Sequence, residues 1–252
     1  MTFRLAGRAR VALVFAALAS PLGLGAAAAA DGPPADATIK IETRTFKKIG
    51  EVLTGAPGEP LTLDGRLRFP VEARDRYPAV VILHTIGGYR ESNEGWAADQ
   101  YRKAGFATLT YESISTRGVR DAPTTGARPL WGSLVADGFA ALATLAAHTR
   151  IDPGRIAVTG YSLGAEVTRL LAFESLRRAS VAGELRYAAH IAVYPCHVWA
   201  PDLADGSLTG APVLEQLGEK DDCGPVAKAQ ALVATYKAKA IAAPVTITLY
   251  KG

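Results

Sequence analysis

A serine flanked by two glycines is the first feature of this 252-residue sequence that could do chemistry. Gly160-Tyr161-Ser162-Leu163-Gly164 has the G-x-S-x-G spacing of a nucleophile elbow, in which a strand turns sharply at the serine into a helix. Glycine is needed on both sides because strand and helix nearly collide there. A serine held in this way can attack a carbonyl carbon if a base removes its proton and N–H donors bind the oxyanion. The short pattern also occurs by chance, so its surroundings must decide.

The elbow needs a strand before the serine and a helix after it, and the sequence predicts both. RIAVTGYS reads as the strand and LGAEVTRLLAFESL as the helix. Upstream, the AVVIL run in YPAVVILHTIGG is typical of a central parallel strand covered on both faces. The remaining strands are predicted at ATIKIETRTF, LTLDGRLRF, FATLTYES, AAHIAVYP, APVLEQLG and VTITLY, and the helices at SNEGWAADQYRKAG (with Ser92 as cap and Gly105 as stop), Leu130 to His148, and VAKAQALVATYKAKA. This order predicts an α/β protein, with a doubly wound, mostly parallel sheet, helices on both faces and two strands in front.

The first thirty residues are typical of a secretory signal. Three arginines precede an apolar run at 11–19, and a small-residue stretch ending at Ala30 fits an A-x-A cleavage site. An uncleaved anchor is the alternative, because 11–30 is about long enough to span a bilayer. Pro21, Gly23, Gly25 and the alanine-rich end of this stretch favour the signal. We therefore expect residues 1–30 to be removed, residues 31–252 to form one domain, and the protein to be periplasmic or secreted, without a stable membrane span.

Charge and cysteine usage narrow the functional classes further. Removal of the three signal arginines lowers the formal charge from +4 to about +1, which gives no basis for binding nucleic acid or an anionic membrane. Cys196 and Cys223 are the only cysteines; in an exported protein they most simply pair, and two separate buried thiols are the alternative. No cluster has metal-ligand spacing, so we predict no metal and no other cofactor. No pattern indicates the oligomeric state.

Other parts of the sequence carry recognisable motifs in a fixed order: LHTIGG, YESISTRGV, IDPGRIAVTGYSLGAE, YAAHIAVYPCH and LGEKDDCGP. Together they resemble the exported form of the dienelactone hydrolase-like branch of the α/β-hydrolases, and the likeness runs from about Ala79 to the last residue. The resemblance implies an α/β-hydrolase fold and a small-molecule ester or lactone substrate, hydrolysed through an acyl-serine. Because the namesake enzymes have cysteine where this chain has Ser162, we expect a general ester rather than dienelactone itself.

The resemblance also implies the groups around the serine. The backbone N–H of Leu163 is the first expected oxyanion donor because it directly follows the nucleophile. Ile86 in HTIGG matches the family position of the second donor. In LGEKDDCGP, Asp221 fits the spacing of the triad acid, with Asp222 as the rival and an acidic turn without a catalytic role as a third interpretation. Cys196 and Cys223 follow strands that leave the same sheet edge, so a disulfide between them would hold the acid loop.

Several side chains near these motifs are candidates for the substrate pocket. Glu112, Ser113 and Arg117 follow the fourth strand at the same sheet edge, although a solvated loop explains them as well. His84 belongs to the HTIGG motif, where a structural role is the more common one, and His197 follows the strand beside the elbow. His84 and His197 are also the two candidates for a surrogate base.

The histidine of a Ser-Asp-His triad is missing from the expected place. In the family it follows the last strand, a few positions after a tyrosine and a glycine, and here the sequence reaches Tyr250 and Gly252 and stops. All four histidines precede Asp221. We expect the chain to be incomplete at its C-terminus and, as given, weakly active or inactive. The competing interpretation is a catalytically silent binding protein that keeps the pocket.

Overall fold

An eight-stranded sheet with helices on both faces is built from the described part of the chain. The computed structural model describes residues 32–119, 130–196, 207–224, 226–238 and 244–251, so the predicted signal lies outside it. The strands are β1 (Ala37–Thr45), β2 (Glu59–Arg68), β3 (Tyr77–Leu83), β4 (Ala107–Tyr111), β5 (Ile151–Tyr161), β6 (Ala189–Val193), β7 (Val213–Gly218) and β8 (Val245–Tyr250). The helices are α1 (Ile49–Leu53), α2 (Trp96–Lys103), α3 (Trp131–Ala146), α4 (Leu163–Leu170), α5 (Glu174–Ser180) and α6 (Val226–Ala238).

The strand order places the ends of the central strands together. The order is β1-β2-β4-β3-β5-β6-β7-β8, with β1 and β2 antiparallel and every pairing from β4 to β8 across the sheet parallel. This is the predicted doubly wound sheet with two strands in front. Parallel strands share a direction, so the loops that follow β3, β4, β5, β6 and β7 all leave the same edge. The candidate residues belong to these five loops.

The central strand β3 shows why the sheet is covered on both faces. Each of its seven residues is buried. Val81 and Leu83 belong to the larger core with α3 and α4, whereas Val80 and Ile82 belong to a second core with α2. Side chains of a strand point alternately to opposite faces, so a strand buried on both faces must be apolar throughout. The interpretation of the AVVIL run is confirmed.

A buried ion pair joins the helix after Ser162 to strand β7. Arg169 of α4 donates from Nε to Oε1 of Glu215 at 2.8 Å and from Nη2 to Oε2 at 2.5 Å. Both side chains are almost completely buried. A two-pronged pair in this environment has strong directional preference, and loss of one partner would leave a buried charge. The pair therefore sets the position of α4 relative to the strand that precedes Asp221.

Two local predictions were wrong, and one short helix was not predicted. The helix expected from Leu163 to Leu176 is two helices, because the segment 207–209 bonds to the backbone of Ala172 and Glu174 at the break. Ser92 is not a helix cap, since a π-helical turn at Glu91–Gly95 already precedes α2. The five-residue helix α1 was not predicted, being too short for a periodic pattern.

Candidate active site

Ser162 lies at a strained turn between β5 and α4. Its φ of 52° and ψ of −113° place a non-glycine residue in a region that side chains rarely adopt. Its N–H donates to the carbonyl of Val193 at 3.0 Å, which holds the turn against β6. A Cβ on Gly160 would overlap the carbonyl of Gly164, and a Cβ on Gly164 would overlap the carbonyl of Leu83. Both glycines of the motif are thus required by close backbone approach, as expected for an elbow.

The two backbone N–H groups expected to bind an oxyanion, those of Leu163 and Ile86, belong to residues that follow β5 and β3. Neither Leu163, the first residue of α4, nor Ile86, in the loop after β3, donates a backbone hydrogen bond within the described ranges. The N–H of Leu163 also lies at the amino end of a helix, where the peptide dipoles favour negative charge. These are the two donors that the sequence suggested.

The loop that carries Ile86, residues 84–90 and called the oxyanion loop below, is held on one side by Glu94. This carboxylate is 0 % exposed. It accepts the N–H of Thr85 at 3.2 Å, the N–H of Arg90 at 2.8 Å and the side-chain amide of Asn93 at 3.0 Å. The first two bonds tie both ends of the loop to one group, which limits the positions available to Ile86 between them. Sequence reasoning did not identify Glu94.

On its other side the oxyanion loop is held by Glu112. This carboxylate accepts the N–H of Tyr89 at 2.6 Å and, from its own loop, the N–H groups of Ile114 at 2.7 Å and Ser115 at 3.0 Å. Burial acts to raise the pKa of Glu112, but His84 and these three N–H groups outweigh it, and the pKa lies below its usual value. Glu112 therefore bonds to backbone rather than presenting a free carboxylate to a pocket.

Both ring nitrogens of His84 are hydrogen-bonded within the protein. Its Nε2 accepts the N–H of Ser113 at 3.1 Å, so the proton must be on Nδ1, which lies 2.7 Å from the carbonyl of Thr85. The side chain is buried. With both nitrogens engaged, His84 links the oxyanion loop to the loop after β4.

Arg117, expected near the substrate, is saturated by contacts within the protein. It donates to both carboxylate oxygens of Asp137, at 2.7 and 2.8 Å, and to the carbonyl of Ser113 at 2.7 Å. Its remaining N–H groups reach Thr45 and the carbonyl of Arg44. A guanidinium has five N–H groups, so none is left for a substrate. Arg117 thereby attaches the start of the loop after β4 to α3 and β1, and its guanidinium is not a free cation.

On the opposite side of Ser162, a disulfide joins the loops after β6 and β7. Cys196 and Cys223 are bonded, with their Cα atoms 4.7 Å apart, which confirms the predicted pairing. The Sγ of Cys196 lies 3.8 Å from the Oγ of Ser162. The disulfide is therefore in direct contact with the candidate nucleophile.

The turn after β7, residues 218–224 and called the acid turn below, distinguishes the two aspartates. Oδ1 of Asp221 accepts the N–H of Cys223 at 2.9 Å and the N–H of Gly224 at 3.1 Å. Asp221 is half-buried, whereas Asp222 is exposed and its side chain makes no hydrogen bond within the described residues. The carboxylate of Asp221 has a defined orientation, and its Oδ2 accepts no hydrogen bond from the described residues.

The start of the loop after β6 is held by backbone contacts next to the elbow. Tyr194 adopts a left-handed conformation, with φ 43°, and its N–H donates to the carbonyl of Gln216 at 2.8 Å. Its ring lies 6.0 Å from that of Tyr161. Burial, the first cause, raises the pKa of both tyrosines, so both are neutral at ordinary pH. His197, three residues further on, lies outside the described residues.

Neither a metal site nor a membrane span is found in the part of the chain that the structure covers. No three His, Cys, Asp or Glu side chains there are grouped so as to hold a metal ion. No helix there has the length and apolar character needed to cross a membrane. Two surface grooves, lined by residues such as Arg74 and Arg102 in one and Phe46 and Phe139 in the other, include none of the candidate site residues.

Comparison with known proteins agrees with this fold. The family model of the dienelactone hydrolase family matches residues 63–252. Among solved structures, a dienelactone hydrolase-like promiscuous phosphotriesterase from metagenomic libraries is similar at 18% identity, over 86% of this chain and 82% of that chain, with a TM-score of 0.59. An α/β-hydrolase from a Medee basin deep-sea metagenome library shares 19% identity over 85% and 82%, with a TM-score of 0.56.

A third similar structure is esterase 2 of Thermogutta terrifontis, phosphonylated by sarin, at 14% identity over 76% of this chain and 80% of that chain, with a TM-score of 0.57. At these identities the structures establish the α/β-hydrolase fold alone. None of the curated protein sequences matches significantly. The family model covers three-quarters of the sequence, and on that ground the chain belongs to the dienelactone hydrolase family.

Proposed function

We propose that the protein hydrolyses a carboxylic ester or lactone through an acyl-Ser162 intermediate. Family membership supports a hydrolase of ester type. The observation that carries the finer proposal is the strained elbow at Ser162, supported by the N–H groups of Leu163 and Ile86, neither of which donates a backbone hydrogen bond within the described residues. Backbone strain persists where the surrounding structure enforces it, and it is concentrated at functional sites.

The proposed reaction follows from these groups. The Oγ of Ser162 attacks the ester carbonyl, the electron pair moves to the carbonyl oxygen, and the N–H groups of Leu163 and Ile86 bind the resulting oxyanion. A base takes the serine proton and delivers it to the leaving alcohol, and water then hydrolyses the acyl-serine. Asp221 orients the base and stabilises its charged form, a role that suits its anchored carboxylate better than the exposed Asp222.

The base is not one of the three histidines that the structure describes. Both nitrogens of His84 are engaged. His148 packs against Phe69 near the start of β5, and the serine follows the other end of that strand. The paired stretch of β3 from Tyr77 to Leu83 puts these two ends roughly 20 Å apart. His190 lies within β6 and is completely buried. The proposal therefore leaves two places for the base: His197, and a histidine after Gly252, where the family resemblance puts it.

Export remains part of the proposal. The signal-like composition of residues 1–30 and the disulfide between Cys196 and Cys223 both support a periplasmic or secreted protein, with residues 31–252 as the hydrolase domain.

The decisive experiment is labelling with a fluorophosphonate, followed by mass spectrometry and by assay on an activated ester. The adduct is expected on Ser162, and Ser162→Ala should lose at least about 10³-fold in kcat/KM, because the nucleophile is removed. Ser115→Ala, which removes an exposed hydroxyl, is the matched control and should keep its activity. Labelling at another residue, or full turnover in Ser162→Ala, would contradict the proposal.

The same assay locates the base and tests the silent-protein alternative. If His197 is the base, His197→Ala loses activity as Ser162→Ala does. If a residue after Gly252 is the base, a chain that carries a histidine there should be at least about 10³-fold faster than the 252-residue chain. Substrate binding without turnover in both chains would favour the silent binding protein.

A further inference from the structure

The disulfide occupies a place between the two groups whose relative position matters for the proposed reaction. Its Cys196 sulfur lies 3.8 Å from the Oγ of Ser162, in contact with the nucleophile. Its other half, Cys223, donates its N–H to the carboxylate of Asp221. One covalent link therefore connects an atom beside the nucleophile to the residue that orients the acid.

The backbone of the two loops is closely packed around the disulfide. A Cβ on Gly224 would overlap the carbonyl oxygen of Pro195, the residue before Cys196. Gly224 also donates its N–H to Asp221. The orientation of the carboxylate is thus defined by two N–H groups from the residues at the cross-link.

Few other contacts from the described residues hold the acid turn. Asp222 and Cys223 are exposed, and the described backbone bonds at this turn are those from Asp221 to Gly218 and from Glu219 to Tyr250. Both bonds lie on the β7 side of the turn. The bond between sulfurs is therefore the main restraint on residues 222–224 from the nucleophile's side.

We propose that Cys196 and Cys223 are positioning residues for catalysis, and that the disulfide form is the active form while the dithiol form keeps the fold but is much less active. The inference rests on the proposed function. The physical reason is that misplacement of a catalytic group by about 1 Å costs on the order of 10²-fold in rate. In an exported protein, activity would then appear only after oxidation of the two thiols.

The test compares the full-length protein before and after reduction with dithiothreitol, which transfers two electrons and two protons to the disulfide and becomes a cyclic disulfide itself. Thiol titration follows the extent of reduction, and circular dichroism follows the fold. Reduction should lower kcat by about 10²-fold with KM little changed, and reoxidation should restore it. Cys196→Ala/Cys223→Ala should match the reduced protein and be insensitive to dithiothreitol.

The pH profile separates positioning from a general loss of folded protein. A carboxylate that no longer faces the base stops stabilising its charged form, so the acidic limb of kcat/KM should move to lower pH in the dithiol form and in the double variant. A smaller folded fraction would lower the profile without moving it. Unchanged kcat after complete reduction, an unmoved acidic limb, or unfolding of the dithiol form would each overturn the proposal.

The proposed function and this inference fail in different ways. Ester turnover that survives in Ser162→Ala removes the proposed function, whatever reduction does. Turnover that depends on Ser162 but is indifferent to reduction leaves the proposed function standing and removes the role assigned to the disulfide.

Discussion

The two sides of Ser162 are held in position by different means. On the oxyanion side, the loops after β3 and β4 are tied by Glu94, Glu112 and His84, which together make seven hydrogen bonds to backbone groups and one to an amide side chain. On the acid side, one disulfide ties the loop after β6 to the loop after β7, and Asp221 accepts two bonds within the second of these loops.

Loops beside the nucleophile are thus held by a hydrogen-bond network on one side and by a covalent bond on the other. Hydrogen bonds contribute about 0.5–1.5 kcal/mol each, or up to about 3 kcal/mol when one partner is charged, so a network of them loses its hold gradually as members are removed. The disulfide is either intact or broken, so the restraint that it provides is lost in one step. We therefore expect the oxyanion side to tolerate single changes better than the acid side does.

The largest effect is expected from Gly224→Ala on the acid side. The new methyl group would overlap the carbonyl of Pro195 and force the cross-linked loops apart. The expected loss is about 10²-fold in kcat/KM, measured on an activated ester. Gly218→Ala is the matched control in the same turn: its Cβ would meet only Asp221, at 3.9 Å, and activity should stay near wild type. Equal losses in both variants would remove the special role given to the contact at Gly224.

A smaller effect is expected from Glu94→Gln on the oxyanion side. Each oxygen of Glu94 accepts an N–H from the oxyanion loop, so an amide NH2 in either position faces a donor and breaks one contact. Because Ile86 would bind the oxyanion mainly in the transition state, kcat should fall by about 10-fold with KM unchanged. Glu42→Gln, at an exposed carboxylate that accepts only the hydroxyl of Thr62 among the described residues, should not change kcat. A raised KM with wild-type kcat in Glu94→Gln would mean that Glu94 acts on substrate binding instead.

The smallest effect on activity is expected from a substitution of His190 in β6, which should leave activity at neutral pH unchanged. The property that it should change is the pH dependence of stability. Complete burial, the first cause, lowers the pKa of His190 from 6.5 to about 4. The carbonyls of Leu171 and Pro212 raise the pKa slightly, although neither ring nitrogen has a hydrogen-bond partner among the described residues. As the pH falls from 6.5 towards 4, His190 binds a proton in the unfolded chain but remains neutral in the folded protein. The free energy of unfolding should fall by about 2 kcal/mol between pH 7 and pH 5.

Between pH 7 and pH 5, the loss of stability caused by His190 can be separated from that caused by Glu112. The pKa of Glu112 lies below 4.5, so the stability that its charge contributes is lost only as the pH falls below about 4.5. Chemical denaturation at several pH values should give a flatter pH dependence for His190→Phe than for wild type between pH 7 and pH 5. His148→Gln, at a partly exposed histidine, is the control and should change the slope less. An unchanged slope in His190→Phe would assign the effect elsewhere.

The parts of the molecule that follow from local pattern were predictable from the sequence. The run at Tyr77–Leu83 had to be a strand buried on both faces, and Ser162 between two glycines had to be a turn. The disulfide followed from the expected export and from the expectation that two loops leave one sheet edge. Each of these conclusions depends on spacing along the chain, which the sequence contains directly.

The groups that hold the oxyanion loop were not predictable in the same way. Glu94 resembles any solvated charge at the start of a helix, and only the return of the loop over it makes it an acceptor for Thr85 and Arg90. Asp137 did carry a signal, because it lies three positions after Leu134 and four before Ala141, both buried in α3. A lone carboxylate on that apolar stripe implies a buried partner, but the sequence does not say that the partner is Arg117.

The cross-link also decides how the chain would respond to a protease. Cys196 and Cys223 are separated by 27 positions, so a single cut anywhere between them leaves both fragments in one covalent molecule. Such a nicked protein would run as one band in electrophoresis without reductant and as two bands with it. Degradation into separate pieces would need a second event, either another cut or reduction of the bond.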